Sequence, residues 1–292
     1  AILNTANWTT TSSPSSSPMV VTGSAGSFTI GSVLTATLGG QTNVSCFGGA
    51  NGTATVTPTG GTTPYTYSWA PSGGSSSVAS GLVAGTYTCT VSDAASGTAT
   101  VSVTITQPSA ISTSVSSSIN VACNGGSNGS ASISASGGTG SLTYAWAPSG
   151  GTAASATGLG AGIYTCTVTD ANSCTKQQSV TITQPAAIAT SVSSVTNVSC
   201  NGGSNGAASI SASGGTGTLA YSWAPSGGSA ATITGRSAGV YTCTVTDANS
   251  CTKTQAVTIT QPSAISTSVS AVTNVTCNSE ATGAATISAS GG

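Results

Sequence analysis

Apolar and small polar residues alternate along most of this chain. Thr86-Tyr87-Thr88-Cys89-Thr90-Val91 and Val101-Ser102-Val103-Thr104-Ile105 carry a period of two, which puts every second side chain on one face of a half-buried strand. Ser130 to Ser136 predicts a strand with Ala131, Ile133 and Ala135 on one face. Before it, Asn124-Gly125-Gly126-Ser127-Asn128-Gly129 is turn chemistry. Leu142, Tyr144 and Trp146 line one face of the next strand, which ends at Pro148-Ser149-Gly150-Gly151. A weaker strand is predicted near Ala153 to Thr157. Tyr164, Cys166 and Val168 then share a face, Asp170-Ala171-Asn172-Ser173 makes a turn, and Val180 and Ile182 mark a final strand closed by Gln184-Pro185. Ile188 to Val198 leads into the next unit. No helical periodicity of useful length occurs, and glycine would disrupt most candidate helices.

The pattern recurs. Cys46, Cys123, Cys200 and Cys277 stand 77 residues apart (123 − 46 and onward). Trp69, Trp146 and Trp223 keep that interval, as do Tyr87, Tyr164 and Tyr241, with no insertion or deletion between them. Residues 34–110, 111–187 and 188–264 are therefore read as three repeats, with 265–292 as part of a fourth. Residues 1–33 read as a divergent segment or linker, and 19–33 as the possible end of a preceding domain. A second phasing would close each structural unit at Gly61, Gly138, Gly215 and Gly292. The half repeat at 265–292 sets the expectation that the parent protein continues. Six or seven short strands in each 77-residue repeat predict an all-β fold of tandem small immunoglobulin-like β-sandwiches. Gly162-Ile163-Tyr164-Thr165-Cys166-Thr167-Val168 resembles the tyrosine-corner strand of immunoglobulin domains, where a Tyr precedes a core Cys by two residues. Trp69, Tyr87, Trp146, Tyr164, Trp223 and Tyr241 are assigned to the core.

Composition narrows function more than fold. Three basic residues (Lys176, Arg236, Lys253), four acidic ones (Asp93, Asp170, Asp247, Glu280) and no histidine make up the whole charge inventory, for a net charge of −1. Acid–base catalysis draws mostly on the residue types that are scarce here, so no enzyme, cofactor or catalytic residue is expected. Nucleic acid binding needs clustered Lys and Arg and is excluded on the same ground. No apolar run approaches the roughly 18 residues of a membrane helix. Calcium needs six or more oxygens, so one Asp per repeat predicts an Asx-turn and no metal site.

Cys123-Asn124-Gly125-Gly126-Ser127-Asn128-Gly129, Tyr144-Ala145-Trp146, Gly158-Leu159-Gly160-Ala161-Gly162-Ile163-Tyr164 and Val168-Thr169-Asp170-Ala171-Asn172-Ser173-Cys174, leading to Val180-Thr181-Ile182-Thr183-Gln184-Pro185, together resemble the SprB-type repeat. Such repeats build large surface adhesins of gliding Gram-negative bacteria. The likeness recurs in repeats one and three and covers about residues 40–292. It implies export by the type IX secretion system, a place outside the outer membrane, and roles in adhesion or surface motility. The C-terminal sorting signal of such proteins is not found in these residues, as a fragment would predict. Cys166 departs from the pattern, which usually has an apolar residue such as Val there.

Nine cysteines in an exported chain point to disulfides. They fall into an early class (Cys46, Cys123, Cys200, Cys277), a middle class (Cys89, Cys166, Cys243) and a late class (Cys174, Cys251), with Gly97 at the late position of repeat one. Early–middle pairing, as Cys46–Cys89, Cys123–Cys166 and Cys200–Cys243, is the expectation tested below. The family resemblance suggests early–late pairing instead, either within a repeat or from a late Cys back to the preceding repeat's early Cys. In the second form Gly97 makes sense, because no matching repeat lies upstream. The leading functional reading is a structural and adhesive segment of a secreted surface fibre or stalk that self-associates into a multi-chain fibre. Alternatives are a module binding surface glycans and an ice- or mineral-binding surface built on threonine rows such as Thr86, Thr88 and Thr90.

Overall fold

The computed structural model of the chain describes residues 19–22 and 29–292. Residues 1–18 and 23–28 of the segment read as divergent or a linker lie outside the described residues. β1 (Met19–Thr22) and β2 (Thr29–Ser32) pair antiparallel. The first repeat folds into β3 (Thr35–Thr42), β4 (Gly52–Thr59), β5 (Thr66–Ala70), β6 (Val78–Leu82), β7 (Gly85–Ser92) and β8 (Thr98–Ile105). The second gives β9 (Ser112–Ile119), β10 (Gly129–Ser136), β11 (Thr143–Ala147), β12 (Ser155–Leu159), β13 (Gly162–Thr169) and β14 (Thr175–Ile182). The third gives β15 (Ala189–Thr196), β16 (Gly206–Ser213), β17 (Ala220–Ala224), β18 (Thr232–Arg236), β19 (Gly239–Thr246) and β20 (Thr252–Ile259), and β21 (Ser266–Thr273) and β22 (Ala284–Ser290) follow.

By its contacts the chain forms two compact units. One holds the described residues up to Ser114 with Ala135–Tyr144 and Thr167–Gln177, and the other holds Val115–Ser134, Ala145–Cys166 and Gln178–Gly292. The first contains the whole sandwich of repeat one, a sheet ordered β3-β4-β6 facing a sheet ordered β5-β7-β8. The second contains that of repeat three, ordered β15-β16-β18 and β17-β19-β20. All pairs within these sheets are antiparallel. Lettered in chain order, the sheets are A-B-E and C-F-G, the immunoglobulin arrangement without strand D. Gly61 and Gly215, the glycines of the second phasing, lie between β4 and β5 and between β16 and β17, within a sandwich.

Alternation sets the core. On β7 the inward positions are Tyr87, Cys89 and Val91, and on β4 they are Ala54 and Val56, all buried. Trp69 of β5 lies opposite Cys89 of β7 and is itself buried. Trp146, Tyr164, Trp223 and Tyr241 are buried at the matching positions. Each indole has a partner for its one donor: Trp69 Nε1 donates to Ser76 O at 2.9 Å, Trp146 to Ala153 O at 2.9 Å and Trp223 to Ala230 O at 3.0 Å. The tyrosine corner is present as well. Tyr87 Oη donates to Val83 O at 3.2 Å, Tyr164 to Gly160 O at 3.2 Å and Tyr241 to Ser237 O at 3.1 Å. The strand expected near Ala153 to Thr157 runs over Ser155–Leu159. Its Gly158 has a positive φ of 70°, and opposite it the register shifts between Gly129 and Ser130. This bulge lets the strand continue past a glycine that reads as a terminator, and so buries Leu159.

Candidate functional site at the repeat junctions

Two loops recur at matching places and meet in pairs. The early loop follows the first strand of each repeat. In repeat one Gly49 N donates to Cys46 O at 2.9 Å, Asn51 Oδ1 accepts from Ser45 N at 3.0 Å, and Gln107 Oε1 accepts from Gly48 N at 2.7 Å. Gly48 has a φ of 72°, a conformation open to glycine at no steric cost. Repeat two repeats this: Asn128 Oδ1 accepts from Ala122 N at 3.0 Å and Gln184 Oε1 from Gly125 N at 2.7 Å. The Asn-Gly that ends the early motif and the Gln-Pro that ends the last strand are thus clamps on one loop. Sequence reasoning took them as turn punctuation and as family motifs, not as partners of one loop.

The late turn is built around an aspartate. Asp170 Oδ1 accepts from Asn172 N and Cys174 N, each at 2.9 Å, and Oδ2 accepts from Thr139 N at 2.8 Å. Asp247 receives the matching bonds from Asn249, Cys251 and Thr216, all at 2.9 Å. Burial by itself would raise the Asp170 and Asp247 carboxyls, but these three backbone donors outweigh it and hold both below the usual value. At Asp93 the Thr62 amide is the strongest influence, and the carboxyl is again held low. The Asx-turn expected from sequence is the geometry found.

The two loops are covalently joined. Cys46 bonds to Cys174 and Cys123 to Cys251, each over 128 residues, with Cα atoms 5.7 and 5.6 Å apart. Each late cysteine therefore reaches back to the early cysteine of the preceding repeat. Asn172 Nδ2 adds a hydrogen bond to Ser45 O at 2.9 Å, and Asn249 Nδ2 one to Ala122 O at 3.0 Å. The expected Cys46–Cys89, Cys123–Cys166 and Cys200–Cys243 bridges do not form: Cys89, Cys166 and Cys243 are free, buried thiols. The reason is parity and place. Each middle cysteine sits mid-strand in phase with a core Tyr and Val, whereas each early cysteine sits on a loop beyond the strand ends. Burial pushes the three core thiols above their ordinary value, a hydrogen-bonding contact with the backbone of Ser68, Ala145 or Ser222 offsetting only part of it. They are packing groups of low reactivity. Cys200 and Cys277 are free and exposed.

Among the described residues no group of three or more His, Cys, Asp and Glu side chains could hold a metal ion, and no helix is long and apolar enough to cross a membrane. The threonine rows are paired across strands, Thr86 Oγ1 with Thr104 Oγ1 at 3.2 Å and Thr88 Oγ1 with Ser102 Oγ at 2.9 Å. Each of these hydroxyls spends part of its bonding capacity on its neighbour.

The family model described as SprB repeat matches the chain three times, over residues 39–74, 115–151 and 192–228. No curated protein matches the chain significantly. Among solved structures, three N-terminal domains of the highly immunogenic outer capsid protein of bacteriophage RB49 share 16% identity, over 78% of this chain and 97% of that one, with a TM-score of 0.34. The N-terminal eight immunoglobulin domains of Down syndrome cell adhesion molecule share 12% identity over 84% of this chain and 47% of that one, at a TM-score of 0.34. Domains 4–9 of the surface layer protein SbsC share 16% identity over 82% and 49%, at 0.23.

Proposed function

We propose, from the premise that this is a chain of SprB repeats, that it serves as a structural and adhesive stalk segment of a secreted cell-surface protein. The observation that carries this reading is the pair of bridges between successive repeats, Cys46–Cys174 and Cys123–Cys251. Disulfides form and persist outside the reducing cytosol, and bridges placed between domains serve to hold an array together. The chain has no catalytic task in this reading, since it carries only seven charged side chains and no histidine. The paired threonine hydroxyls weigh against an ice- or mineral-binding face. Export by the type IX system, and use in adhesion or gliding motility, are the finer parts of the proposal that come with the family.

The stalks assemble side by side into a multi-chain fibre. A net charge of −1 leaves little electrostatic repulsion, and strand faces rich in Ser and Thr cost less to desolvate than charged ones. A 77-residue period also brings one weak contact back with every repeat, so neighbouring chains bind multivalently. Sedimentation of residues 34–292 over a hundredfold concentration range tests this. Growth of laterally associated species is expected. A monomer throughout, together with native surface fibres one domain wide, defeats lateral assembly and leaves a single-file stalk.

A further inference from the structure

Repeat three keeps a nucleophile shut in beside a bridge that is left open. Cys243 is fully buried in the middle of β19, opposite Trp223 of β17 on one side and Gln255 of β20 on the other. Burial also pushes its thiol above the ordinary value, and the thiolate is the form that attacks a disulfide. The Cys123–Cys251 bridge, by contrast, lines a cleft of about 270 Å³ together with Pro185, Ile188 and Lys253. Cys251 comes just before Thr252, which pairs with Thr246, so it lies four residues from Gln255 (255 − 251). At about 3.3 Å per residue that is about 13 Å along the strand. A sulfur held there is out of contact with Cys243 while β19 and β20 stay paired.

Along the chain the order of distances reverses. Cys251 is eight residues from Cys243 (251 − 243) but 128 residues from Cys123. The entropy cost of closing a loop grows as (3/2)RT ln n, so in an unfolded repeat the shorter loop is favoured by about 60-fold. Folding favours the longer one, because a Cys243–Cys251 bond would pull Cys243 from its place opposite Trp223 and among buried Tyr241 and Val245. The state of the repeat thus decides which pairing is stable. Cys166 likewise stands eight residues before the bridged Cys174 (174 − 166). Cys89 stands eight residues before Gly97 (97 − 89), where there is no bridge to attack.

We propose that Cys243 is a latent nucleophile for the Cys123–Cys251 bridge, so that opening of repeat three moves the bridge from the junction into the repeat. The uncovered Cys243 thiol gives its proton to water, and its thiolate attacks Cys251 Sγ. The Cys243–Cys251 bond forms as the Cys123–Cys251 bond breaks, and Cys123 leaves as a thiolate that takes up a proton. One thiol and one disulfide stand on each side of the step, so it needs no oxidant or reductant. Refolding runs it backwards, with Cys123 attacking Cys251 Sγ and Cys243 leaving. The junction is released only while the repeat is open, and Cys166 does the same for Cys46–Cys174. This exchange is a property of the chain's own thiols and holds whether or not the chain serves adhesion.

The test uses the full chain with Cys200→Ser and Cys277→Ser, which removes the two exposed thiols, at pH 8 across a guanidinium titration. Samples are trapped with N-ethylmaleimide at short times and mapped without reduction. Below the unfolding of repeat three, Cys123 is expected to stay joined to Cys251. Through that transition the Cys243–Cys251 disulfide and alkylated Cys123 are expected to appear at least tenfold faster. Cys243→Val and Cys243→Ala are each expected to slow the initial release of Cys123 at least tenfold in the unfolded chain, where packing no longer matters. Dilution out of denaturant before trapping is expected to restore Cys123–Cys251 at the expense of Cys243–Cys251. Release of Cys123 that neither substitution slows, or that is as fast in the folded chain, overturns the proposal. So does a Cys243–Cys251 bond that persists after refolding.

Discussion

The turn from Asp93 to Gly97 and the turn from Asp170 to Cys174 share one construction and differ in one use. In both, the carboxylate accepts from the residues two and four positions on and from a Thr amide across the loop. Ser96 and Ser173 take positive φ values of 68° and 65° at the same step. Only the second turn ends in a cysteine, and only it is bonded to another repeat. The aspartate therefore shapes the turn within its own repeat, and the cysteine adds linkage to a turn that forms without it.

Cys174→Ser strikes the linkage alone and carries the largest expected effect. Closing a loop of 128 residues restricts the unfolded chain by about 5 kcal/mol in the chain-entropy account, with about 2–5 kcal/mol typical of measured bridges. Denaturant melts of the variant should shift by that amount, and reduced wild type should shift at least as far. A variant that melts with the oxidised wild type would move the stabilising role from the bridge to the turn.

Acid strikes the shared part. The three aspartates have folded pKa values below the ordinary value of about 3.9. Their contribution is therefore complete above that pH and lost as pH falls through the lower folded value. Melting temperature should hold from pH 7 to about 5 and drop below about 4, with the turn amides of repeats one and two losing protection together while Cys46–Cys174 stays intact. Loss in repeat one alone would mean that the bridge, and not the carboxylate, holds the second turn.

Gly97→Cys gives the first turn the second one's terminal residue and has the smallest effect. Stability should change by about 1 kcal/mol or less, since the added Cβ meets the Asp93 carboxylate oxygens at 3.1 Å in a turn whose counterparts already hold Cys174 and Cys251, while thiol titration of the native chain gains one reactive group. A large loss would show that the first turn tolerates only glycine.

Much of this architecture can be read before folding. Period-two alternation located the strands, and the aromatic positions at 77-residue spacing located the core, because both follow from which side chains must leave water. The Asp turn was equally legible, since its chemistry is local. Disulfide pairing was harder, because it depends on where loops 128 residues apart come to rest. Two clues pointed to it nonetheless. Cys89 alternates in phase with Tyr87 and Val91, as a core residue does, and Gly97 leaves the late turn of repeat one without a cysteine, so early–late pairing within a repeat would strand Cys46. The clamps from Asn51 and Gln107 stayed hidden because polar side chains in turns satisfy many partners, and spacing alone does not choose among them.

The two bridges overlap along the chain, and that changes what a break in it means. From Cys46 to Cys251 the backbone runs 205 residues (251 − 46), but either bridge offers a detour of 77, through Cys174 (251 − 174) or through Cys123 (123 − 46). A single peptide-bond cut anywhere between residues 47 and 250 thus leaves both ends joined. Under tension, with every strand between them unravelled, the two cysteines separate by at most about 260 Å and not about 700 Å, at about 3.4 Å per extended residue. The strain is then shared by two parallel tethers, so the array resists severing in the way a braided line does, through redundancy of paths and not through the strength of any one.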